Sequence, residues 1–402
     1  MRIALISYEF PPDTGKGGIG TYVKQIAAAL SSLSWDVHVF AGSYSPGYSQ
    51  QKEGYWVHTI QCSTPHDFAY KVVDEFDNYH TIEKFDLIES AEINGNALII
   101  KKKYPELPLV VRLHAPNYLV ENLKTRYLPF LAKLRFVLGS IRRFKFDMGY
   151  WRTYNKNNDA DYNFIELANY ITAPSQPMKQ WVVKHWGISP YKIRVIPNIF
   201  SPSDLLLDIP VLKNCPYKRV VFFGRLNVLK GLVNATKVMN KILQKYPDWQ
   251  FRVIGDDGNG PAAGTSMRAF MKEKLYAVIN RVEFLDGMVY EALPEAIADC
   301  EIVLLPSLFE SFSYTCAEAM AAGKAVVGSQ NGGMRDLIKN DESGLLTDPE
   351  NSEAIYKAVK KLIEDDEYRF QLSVNARRRI LAVFDAGKTA ADFNSYYQDI
   401  IR

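Results

Sequence analysis

The amino-acid sequence predicts an α/β protein made of two similar halves. Short runs rich in β-branched residues alternate with longer segments of helical period, as in RIALISY, TYVKQIAAALSS and DVHVFAG near the amino terminus. This alternation is typical of βαβ units, which form parallel sheets covered by helices on both faces. The pattern restarts after a proline-bearing stretch at residues 196–218, and a length of 402 residues leaves room for two domains.

The strands expected in each half define the two domains. The first half continues with FDLIES, LVVRLHA and YITAPS, and the second half contains RVVFFGR, WQFRVIG, RVEFLDG, EIVLLPS and AVVGSQ. We predict an N-terminal domain at residues 1–200, a C-terminal domain at 201–384, and a helix at about 385–402 that packs back on the first domain. Because ligands of open parallel sheets bind beyond the carboxyl ends of the strands, we expect a central cleft between the halves.

Composition excludes several classes of protein. Hydrophobic residues make up 47% of the chain and charged residues 23%, which is ordinary for a globular protein, and a net charge of +3 is too small to indicate a nucleic-acid partner. Four scattered cysteines and six histidines show no spacing typical of disulfide frameworks or metal sites. No apolar run reaches the roughly 18 residues of a membrane span, and the amino terminus reads as a strand, so we expect a cytoplasmic protein.

A glycine-rich loop follows the first predicted strand. PPDTGKGGIG contains G-x-G-x-x-G at Gly15, Gly17 and Gly20 and leads into a helix, so its backbone amides could bind an anion. A dinucleotide fingerprint would place the glycines directly after the strand and an acidic residue at the end of the second strand. Neither condition is met here, so the sequence disfavours a binding site for NAD. A turn without a ligand remains an alternative.

Two cations follow the first strand of the second half. FFGRLNVLKG places Arg225 and Lys230 just beyond the strand, between Gly224 and Gly231. Arginine offers a fork of donors and lysine a point charge, a pair that suits a diphosphate. A solvated loop would account equally well for these two residues alone.

Two glutamates follow a later strand. In FESFSYTCAEAM, Glu310 lies in the loop after EIVLLPS, and Glu318 lies about one turn into a helix that begins near Tyr314 and ends at Gly323. Carboxylates accept hydrogen bonds from sugar hydroxyls, and free amides at a helix amino terminus bind phosphate. This combination suits a nucleotide sugar. Exposure of Glu310 and a salt bridge or capping role for Glu318 form the alternative interpretation.

Together these motifs resemble the family 4 retaining glycosyltransferases, among the group 1 glycosyl transferases. The resemblance rests on E-x7-E at Glu310 and Glu318, the following EAMAAGKAVVGSQNGG, the earlier GRLNVLKG and the amino-terminal GG loop. It covers nearly the whole chain, is most specific in residues 219–347 and is looser in residues 40–170. It implies the GT-B fold, in which two Rossmann-like domains face a central cleft.

The resemblance also implies roles for individual residues. Arg225 and Lys230 would bind the donor diphosphate, Glu318 the ribose hydroxyls, and His114, at the end of LVVRLHA, would line the reaction centre. A structural histidine held by backbone groups is the alternative for His114. The remaining implied donor contacts are Gly17 and the backbone of Gly18, Glu310 with the backbone of Phe312 and Ser313, and the amides of Tyr314 and Thr315.

Several positions depart from the family pattern. ESFS stands where EGFG is frequent, GGMRD places Asp336 at the acidic position of GGxxE, and PNIF replaces PNG at Asn198. These departures concern the contacts to the donor sugar. The nucleobase would be read by loop backbone near Asp286 to Val289.

The resemblance implies a retaining mechanism without a metal or other cofactor. The leaving diphosphate would accept the proton of the acceptor hydroxyl, while the two cations and the helix amides stabilise its charge. A literal D-x-D occurs at Asp159 and Asp161, in the polar run NKNNDAD before a predicted helix. We interpret it as solvent-exposed helix capping and not as a metal site.

A basic stretch sets the expected location of the enzyme. Residues 119–152 hold eight Lys or Arg and two acidic residues among aromatics and leucines, which is typical of a segment that lies on an anionic membrane. An ordinary helical hairpin with a solvated basic face and a site for an acidic acceptor are alternatives.

We expect a UDP-sugar donor, a glycan or lipid-linked acceptor and a role in cell-surface polysaccharide or glycolipid biosynthesis, peripheral to the inner face of the plasma membrane. A transferase that makes a small glycoside or disaccharide, an inactive nucleotide-sugar-binding protein and an NAD-dependent oxidoreductase are the other hypotheses.

Overall fold

The computed structural model describes residues 1–15, 17–128, 130–144, 154–214, 216–262 and 264–402. The chain divides into two compact units. The first unit comprises Met1–Asn117, Asn155–Ser201 and Phe384–Arg402, and the second comprises Tyr118–Tyr154 and Pro202–Val383. The segment after residue 117, which the sequence analysis assigned to the N-terminal domain, therefore clusters with the second unit.

The strands follow one another along the chain with helices between most of them. Their bounds are β1 Arg2–Ser7, β2 Asp36–Ser43, β3 Ser49–Lys52, β4 Tyr55–Gln61, β5 Leu87–Ala91, β6 Leu109–Arg112, β7 Tyr170–Ala173, β8 Ile193–Val195, β9 Arg219–Phe223, β10 Gln250–Ile254, β11 Val282–Leu285, β12 Ile302–Leu305, β13 Ala325–Ser329 and β14 Leu345–Thr347.

The helices of the described residues have the following bounds: α1 Gly18–Ser32, α2 Pro65–His80, α3 Leu98–Lys103, α4 Asn117–Thr125, α5 Phe130–Arg142, α6 Ala160–Ile165, α7 Gln176–Trp186, α8 Asp204–Leu207, α9 Leu232–Lys245, α10 Met267–Lys274, α11 Leu293–Ala298, α12 Tyr314–Ala321, α13 Met334–Leu337, α14 Ser352–Glu364, α15 Asp366–Val383 and α16 Ala386–Ile401. None of them is long and apolar enough to cross a membrane.

The first unit is built on one sheet with the order β3-β4-β2-β1-β5-β6-β7-β8. Every described pair is parallel except β3 with β4, which form an antiparallel hairpin at the edge. The sequence analysis expected parallel strands and did not include this hairpin. Its turn lies at Glu53 and Gly54, which both have positive φ, a conformation that matches the twist of a tight hairpin.

Helix α1 explains how the core of the first unit forms. Its apolar residues Tyr22, Ile26 and Leu30 recur every four positions, and all are buried against the sheet. Helix α16 contributes Phe393 and Tyr397 to the same core. The carboxyl-terminal helix thus belongs to the first unit, although the chain reaches it only after the second unit is complete.

The second unit has a smaller sheet, with the order β11-β10-β9-β12-β13-β14 and parallel pairing throughout the described strands. Strand β9 lies between β10 and β12, and its residues 220–223 are all buried. Continuous burial on both faces is typical of a parallel sheet covered by helices. The carboxyl ends of β9, β10 and β12 therefore open onto the same edge, where functional side chains of this unit collect.

The D-x-D sequence has two different structural roles. The Asp159 side chain caps α6 by accepting hydrogen bonds from the amides of Asp161 and Tyr162, as the sequence analysis expected. Asp161 itself is only 1% exposed. Its carboxylate accepts from the amides of Asn94 and Asn117 at 3.2 and 2.7 Å, so the interpretation of this residue as solvent-exposed was wrong.

The cysteines among the described residues are buried in the protein core. Cys62, Cys300 and Cys316 are buried free thiols, while Cys215 lies outside the described residues. Burial raises the pKa of the Cys300 thiol to about 12, which keeps it protonated and unreactive at neutral pH. The described residues contain no group of three or more His, Cys, Asp or Glu side chains that could hold a metal.

Candidate functional site

Glycines allow two strand exits of the second unit to meet. Gly224, just after β9, has φ +138°, and Gly255, just after β10, has φ +149°. A Cβ atom on Gly255 would lie 1.9 Å from the carbonyl oxygen of Gly224, so only glycine fits there. The loops after β9 and β10 then run side by side, and the Leu226 amide donates to the Asp256 carbonyl at 2.8 Å.

The turn that carries Lys230 is fixed against the exit of β12. The Asn227 side chain accepts from the Lys230 amide at 3.2 Å, which closes a short 3-10 turn. Gly231 follows with φ +71°, and a Cβ atom there would lie 1.8 Å from the Pro306 carbonyl oxygen. The Leu308 amide also donates to the Leu229 carbonyl at 2.8 Å. The loops after β9 and β12 are therefore joined by backbone contacts.

Lys230 and Glu310 form an ion pair across these two loops. The Nζ atom of Lys230 donates to Oε1 of Glu310, and the two side chains are only 21% and 18% exposed. Partial burial limits the screening of this ion pair by solvent. The sequence analysis assigned both residues to the donor site, and the structure brings them into contact.

Glu310 is also held from the other side by the loop after β13. The Gly333 amide donates to the Glu310 carbonyl at 2.6 Å, and Gly332 forms an isolated bridge with Glu310. Gly332 has φ +92°, and its added Cβ atom would lie 2.1 Å from the Glu310 carbonyl oxygen. The glycine pair of SQNGG thus places the backbone of Glu310.

Helix α12 begins where the sequence predicts and carries the ESFS segment at its amino terminus. Ser313 is the N-cap, and its Oγ accepts from the Cys316 amide at 3.3 Å. Its φ of +87° is left-handed, which costs a residue with a Cβ atom free energy. Phe312 is buried, and its ring meets that of Tyr314 edge to face at 5.3 Å. The helix ends at Ala321, and the expected stop residue Gly323 follows the C-cap Ala322 with φ +62°.

The amino terminus of α12 presents backbone donors to the same edge of the sheet. Tyr314 and Thr315 are its first two residues, and the amides of a first helical turn have no acceptor within the helix. The helix dipole adds partial positive charge at this end. Lys230 and this helix terminus follow the adjacent strands β9 and β12, so together they favour anionic groups.

Glu318 is a carboxylate without a local donor. No described residue donates a hydrogen bond to its side-chain oxygens. Burial raises the pKa of this carboxyl to about 7, and the positive charge of Lys230 only partly opposes the rise. Tyr290, whose own pKa is raised by burial and then by Glu318, lies on the neighbouring turn. A half-buried carboxyl poised near neutrality is suited to accept hydrogen bonds from a ligand.

Arg225 is the exposed cation of the group. It lies in the loop after β9, and no described residue holds its guanidinium by a hydrogen bond or ion pair. It lines a cavity of about 440 Å³. The other walls include Lys124 and Leu128 from the segment around α4, Asn227, and the loop from Asp256 to Gly260. The cavity therefore has both cations and carboxylates in its wall.

The loop expected to read a nucleobase is braced by one arginine. Arg268 on α10 donates to the Asp286 carboxylate at 2.6 Å and to the carbonyls of Gly255 and Leu285 at 3.0 and 3.3 Å. The exits of β10 and β11 are thereby tied together. The sequence analysis did not identify Arg268, because its partners lie between 13 and 18 residues away along the chain.

The remaining expected site residues belong to the first unit. Gly17 is the N-cap of α1, in extended backbone, and Gly18 is the first residue of the helix. Tyr22, one turn further, places its ring 5.4 Å from the ring of His114. Residue 16, between Gly15 and Gly17, lies outside the described part of the chain. The glycine loop and His114 thus lie at one edge of the first sheet, joined by Tyr22.

His114 is buried and uncharged. It follows β6, and its amide donates to both carboxylate oxygens of Glu92, at 2.9 and 2.8 Å. Burial and the positive charge of Arg112 lower the pKa of His114 to about 3. Glu92 is fully buried, and burial followed by the charge of Asp161 raises its pKa well above the usual value. Glu92, which follows β5, was not identified from the sequence.

A buried polar network lies behind His114. Glu89 accepts from the hydroxyls of Tyr22, at 2.8 Å, and Tyr397. Arg112 places its guanidinium 4.7 Å from the Tyr22 ring centre and donates to Asn198 at 2.5 Å. Asn198, the asparagine that PNIF shares with the family's PNG, therefore holds an arginine of the first unit.

Asp336, at the acidic position of GGMRD, is half-buried in α13. Its carbonyl accepts from Arg379 at 2.8 Å, so its backbone fastens α13 to α15. Residues of α15 were not part of the predicted site. The described contacts give Asp336 a role in supporting the loop that holds Glu310.

Solved structures share the fold of this chain. Sucrose-phosphate synthase from Thermosynechococcus elongatus matches with a TM-score of 0.75 and 20% identity, covering 99% of this chain and 98% of that chain. The Anabaena protein HepE in complex with UDP matches with a TM-score of 0.67 and 20% identity, covering 99% and 100%. These similarities and the two parallel sheets define the GT-B class, confirming the predicted fold.

The family follows from two matches that together span most of the sequence. The model described as Glycosyltransferase Family 4 matches residues 16–203, and the one described as Glycosyl transferases group 1 matches residues 210–379. A D-inositol 3-phosphate glycosyltransferase of Corynebacterium diphtheriae is 24% identical over 99% of this chain and 95% of its own length. The chain belongs to the family 4 glycosyltransferases of GT-B fold, and it is a glycosyltransferase.

Proposed function

We propose that this protein is a retaining, metal-independent glycosyltransferase that moves a sugar from a UDP-sugar to a hydroxyl of a glycan or lipid-linked acceptor. The observation that carries the proposal is the Glu318 carboxyl, half-buried beside Lys230 and without a hydrogen-bond donor among the described residues. A ribose supplies two adjacent hydroxyls, which would satisfy both carboxylate oxygens at once.

The diphosphate of the donor would bind between Lys230 and the amino terminus of α12. Lys230 is paired with the Glu310 carboxylate in the structure. A diphosphate carries more negative charge than one carboxylate, so it would compete for the ammonium group and free Glu310 to accept hydrogen bonds from the donor sugar. Arg225, which has no described partner, would add a second cation.

The chemistry would then need little from the protein beyond charge stabilisation. The bond between the anomeric carbon and the diphosphate oxygen breaks, and the acceptor oxygen forms a bond to the same face of that carbon. The proton of the acceptor hydroxyl passes to the departing diphosphate. The charge that develops on the leaving group would be stabilised by two cations and two helix amides: Lys230, Arg225 and the amides of Tyr314 and Thr315. One well-placed donor of this kind lowers the barrier by roughly 3 kcal/mol in well-ordered sites.

His114 would act as a neutral hydrogen-bonding group toward the donor sugar. With its pKa lowered to about 3, its imidazole carries no charge at neutral pH. Glu92 fixes its backbone, and the Tyr22 ring limits the movement of its side chain. Gly17 and Gly18, at the start of the same α1 that carries Tyr22, would bring backbone amides to the diphosphate.

UDP is the proposed nucleotide because HepE, a solved neighbour, is described in complex with UDP. The loop from Asp286 to Val289, braced by Arg268, would contact the base through its backbone. A small phosphorylated acceptor is a second candidate, because Lys124 and Arg225 both line the cavity in the second unit. The name of the Corynebacterium diphtheriae relative points to such an acceptor for that protein.

A thermal-shift panel would test the donor site first. UDP, GDP, ADP and NAD are each added to the wild type and to Glu318→Ala, because a ligand that binds only the folded protein raises the midpoint by mass action. We expect a shift with UDP that is lost in the variant. A shift with NAD alone would overturn the proposal.

Product analysis would test the chemistry. Proton NMR of the product made from an α-linked UDP-sugar should show an α linkage, and activity should persist after dialysis against EDTA. A β-linked product would contradict retention, and loss of activity that Mg²⁺ or Mn²⁺ restores would contradict metal independence. Inositol phosphate and lipid-linked acceptors assayed side by side would separate the two acceptor classes.

A further inference from the structure

Helix α5 exposes its apolar side chains instead of burying them. Leu131, Leu134, Leu138 and Ile141 recur at intervals of three and four residues, so they lie along one side of the helix. Their exposures are 65%, 36%, 57% and 50%. Ser140 is only 3% exposed and lies on the opposite side. We call the four exposed side chains the α5 stripe.

Cations flank the α5 stripe. Arg135 and Arg142 are exposed and lie on the same side of the helix as Leu131 and Leu138, four residues further along in each case. Residues 130–144 contain Lys133 and Arg143 as well and no Asp or Glu. The surface therefore combines apolar groups with positive charge alone.

The segment that leads into α5 is fastened to the second unit. Arg126 forms an ion pair with Glu350 at 2.8 Å, and the Tyr127 hydroxyl accepts from the Asn234 side chain at 3.0 Å. Asn234 is buried and also donates to the Pro349 carbonyl at 2.9 Å. These contacts anchor the chain just before α5, while the side chains of the α5 stripe are exposed.

We propose that the α5 stripe is a docking surface for an anionic lipid membrane. Leucine and isoleucine side chains at this spacing can enter the boundary between headgroups and acyl chains, and the flanking arginines can contact acidic headgroups. A second copy of the chain is a poorer partner, because a symmetric contact between two α5 stripes would bring the same cations together. One short helix also offers less area than a stable dimer interface requires.

Docking through α5 would place the candidate site near the membrane. Leu128, two residues before α5 begins, lines the cavity that also contains Arg225. A lipid-linked acceptor would then be presented close to the donor-binding edge of the second unit. This consequence rests on the proposed function, whereas docking itself does not. The part of the basic stretch at residues 145–152 lies outside the described residues.

Vesicle sedimentation of the full-length protein tests the proposal. The probe is a phosphatidylcholine vesicle that contains about 30% phosphatidylglycerol, and the comparison is a vesicle of pure phosphatidylcholine. We expect binding to the anionic vesicles that weakens with salt and is at least tenfold weaker on neutral vesicles. Leu134→Glu combined with Leu138→Glu should abolish binding, and Arg135→Gln with Arg142→Gln should weaken it roughly fivefold per cation.

The controls separate docking from folding and from catalysis. Ile82→Glu changes a side chain that is 86% exposed in the first unit and should leave vesicle binding intact. All variants should keep the wild-type thermal midpoint and the shift with UDP. Equal binding by wild type and the double Leu variant would overturn the proposal. So would concentration-dependent dimerisation that the same variant abolishes, because the stripe would then be an interface between copies. Loss of docking with the UDP shift retained would leave the proposed function standing.

Discussion

Lys230 and Glu310 are 80 residues apart in the sequence and form a half-buried ion pair between the loops after β9 and β12. Gly231 permits the close approach of the first loop, and Gly332 with Gly333 holds the second. The pair therefore couples the proposed diphosphate contact to the proposed sugar contact. Binding of a donor requires the two charges to separate or to share the ligand.

Glu310→Gln should separate binding of the nucleotide from transfer of the sugar. Without its carboxylate partner, Lys230 keeps its full charge for the diphosphate, so UDP should bind severalfold more tightly. Transfer should fall by at least tenfold, which corresponds to about 1.4 kcal/mol of lost transition-state stabilisation. Titration calorimetry with UDP and a steady-state transfer assay measure the two effects. Weaker UDP binding in this variant would contradict the assigned competition.

Glu318 should make donor binding depend on pH around neutrality. With a folded pKa of about 7, the Glu318 carboxyl is partly protonated at pH 6 to 7. The ribose hydroxyls of the proposed donor would bind best to the ionised carboxylate, because it accepts hydrogen bonds through both oxygens. Affinity for the nucleotide sugar should rise about fivefold between pH 6 and pH 7, about tenfold between pH 6 and pH 8, and level off above pH 8. Calorimetry in buffers of different ionisation enthalpy should detect proton release on binding at pH 7.

Glu318→Gln provides the control for that measurement. An amide has no charge to titrate in this range, so the variant should bind more weakly and with a flat pH profile. A nucleotide sugar is the better probe than free UDP, because its esterified diphosphate does not titrate near neutrality. The same slope in wild type and variant would assign the pH dependence to another group.

Local signals in the sequence account for much of the fold and for part of the site. The strand EIVLLPS, the helix start near Tyr314 and the stop at Gly323 were predicted correctly, because apolar periodicity and a C-terminal glycine are read within a few residues. The edge hairpin β3-β4 was missed, since SQQK carries no apolar alternation and all four residues are exposed.

Long-range contacts determine the features that could not be predicted from the sequence. The burial of Asp161 depends on the amides of Asn94 and Asn117, which lie 67 and 44 residues away, so a polar run was mistaken for an exposed one. Glu92 and Arg268 act through backbone groups of other elements. Glu92 could have been found from its place after a strand that neighbours the strand of His114. The basic stretch was recognised from its composition, but only the structure shows its apolar side chains facing outward.

Ser313 should give opposite stability changes on replacement by glycine and by alanine. Glycine removes the strain of a φ of +87°, worth about 1 to 3 kcal/mol, and loses only a few tenths of a kcal/mol of capping. Alanine keeps the strain and loses the hydrogen bond to the Cys316 amide, at a cost of about 1 kcal/mol. Thermal midpoints should therefore rise for Ser313→Gly and fall for Ser313→Ala. A fall in both variants would show that the serine hydroxyl outweighs the backbone strain.

The stacked histidines His38 and His58 should make the first unit sensitive to acid. Their ring nitrogens lie 2.8 Å apart, and both side chains are buried. Burial lowers the pKa of His38 to about 4, a shift that Asp36 opposes and Arg2 reinforces. Burial also lowers the pKa of His58 to about 3, and the charges of His38 and Arg2 add to this shift. Below pH 6.5 the unfolded chain therefore binds two protons that the folded pair excludes. The stability contribution is fully present above pH 6.5 and falls by about 1.4 kcal/mol per histidine for each pH unit down to the folded pKa values.

Replacement of one member of this pair isolates its contribution from that of other buried groups. Glu89 and Glu92 have raised pKa values, so their contributions change with the opposite sign over part of the same range. The informative quantity is the difference between His58→Gln and wild type, measured as thermal midpoints from pH 7.5 to pH 4.5. We expect the variant to be less stable at pH 7.5 and to lose less stability on acidification. His185→Gln, at an exposed histidine, should follow the wild-type curve. Parallel curves for His58→Gln and wild type would mean that the buried pair does not exclude protons, and the acid sensitivity would belong to other groups.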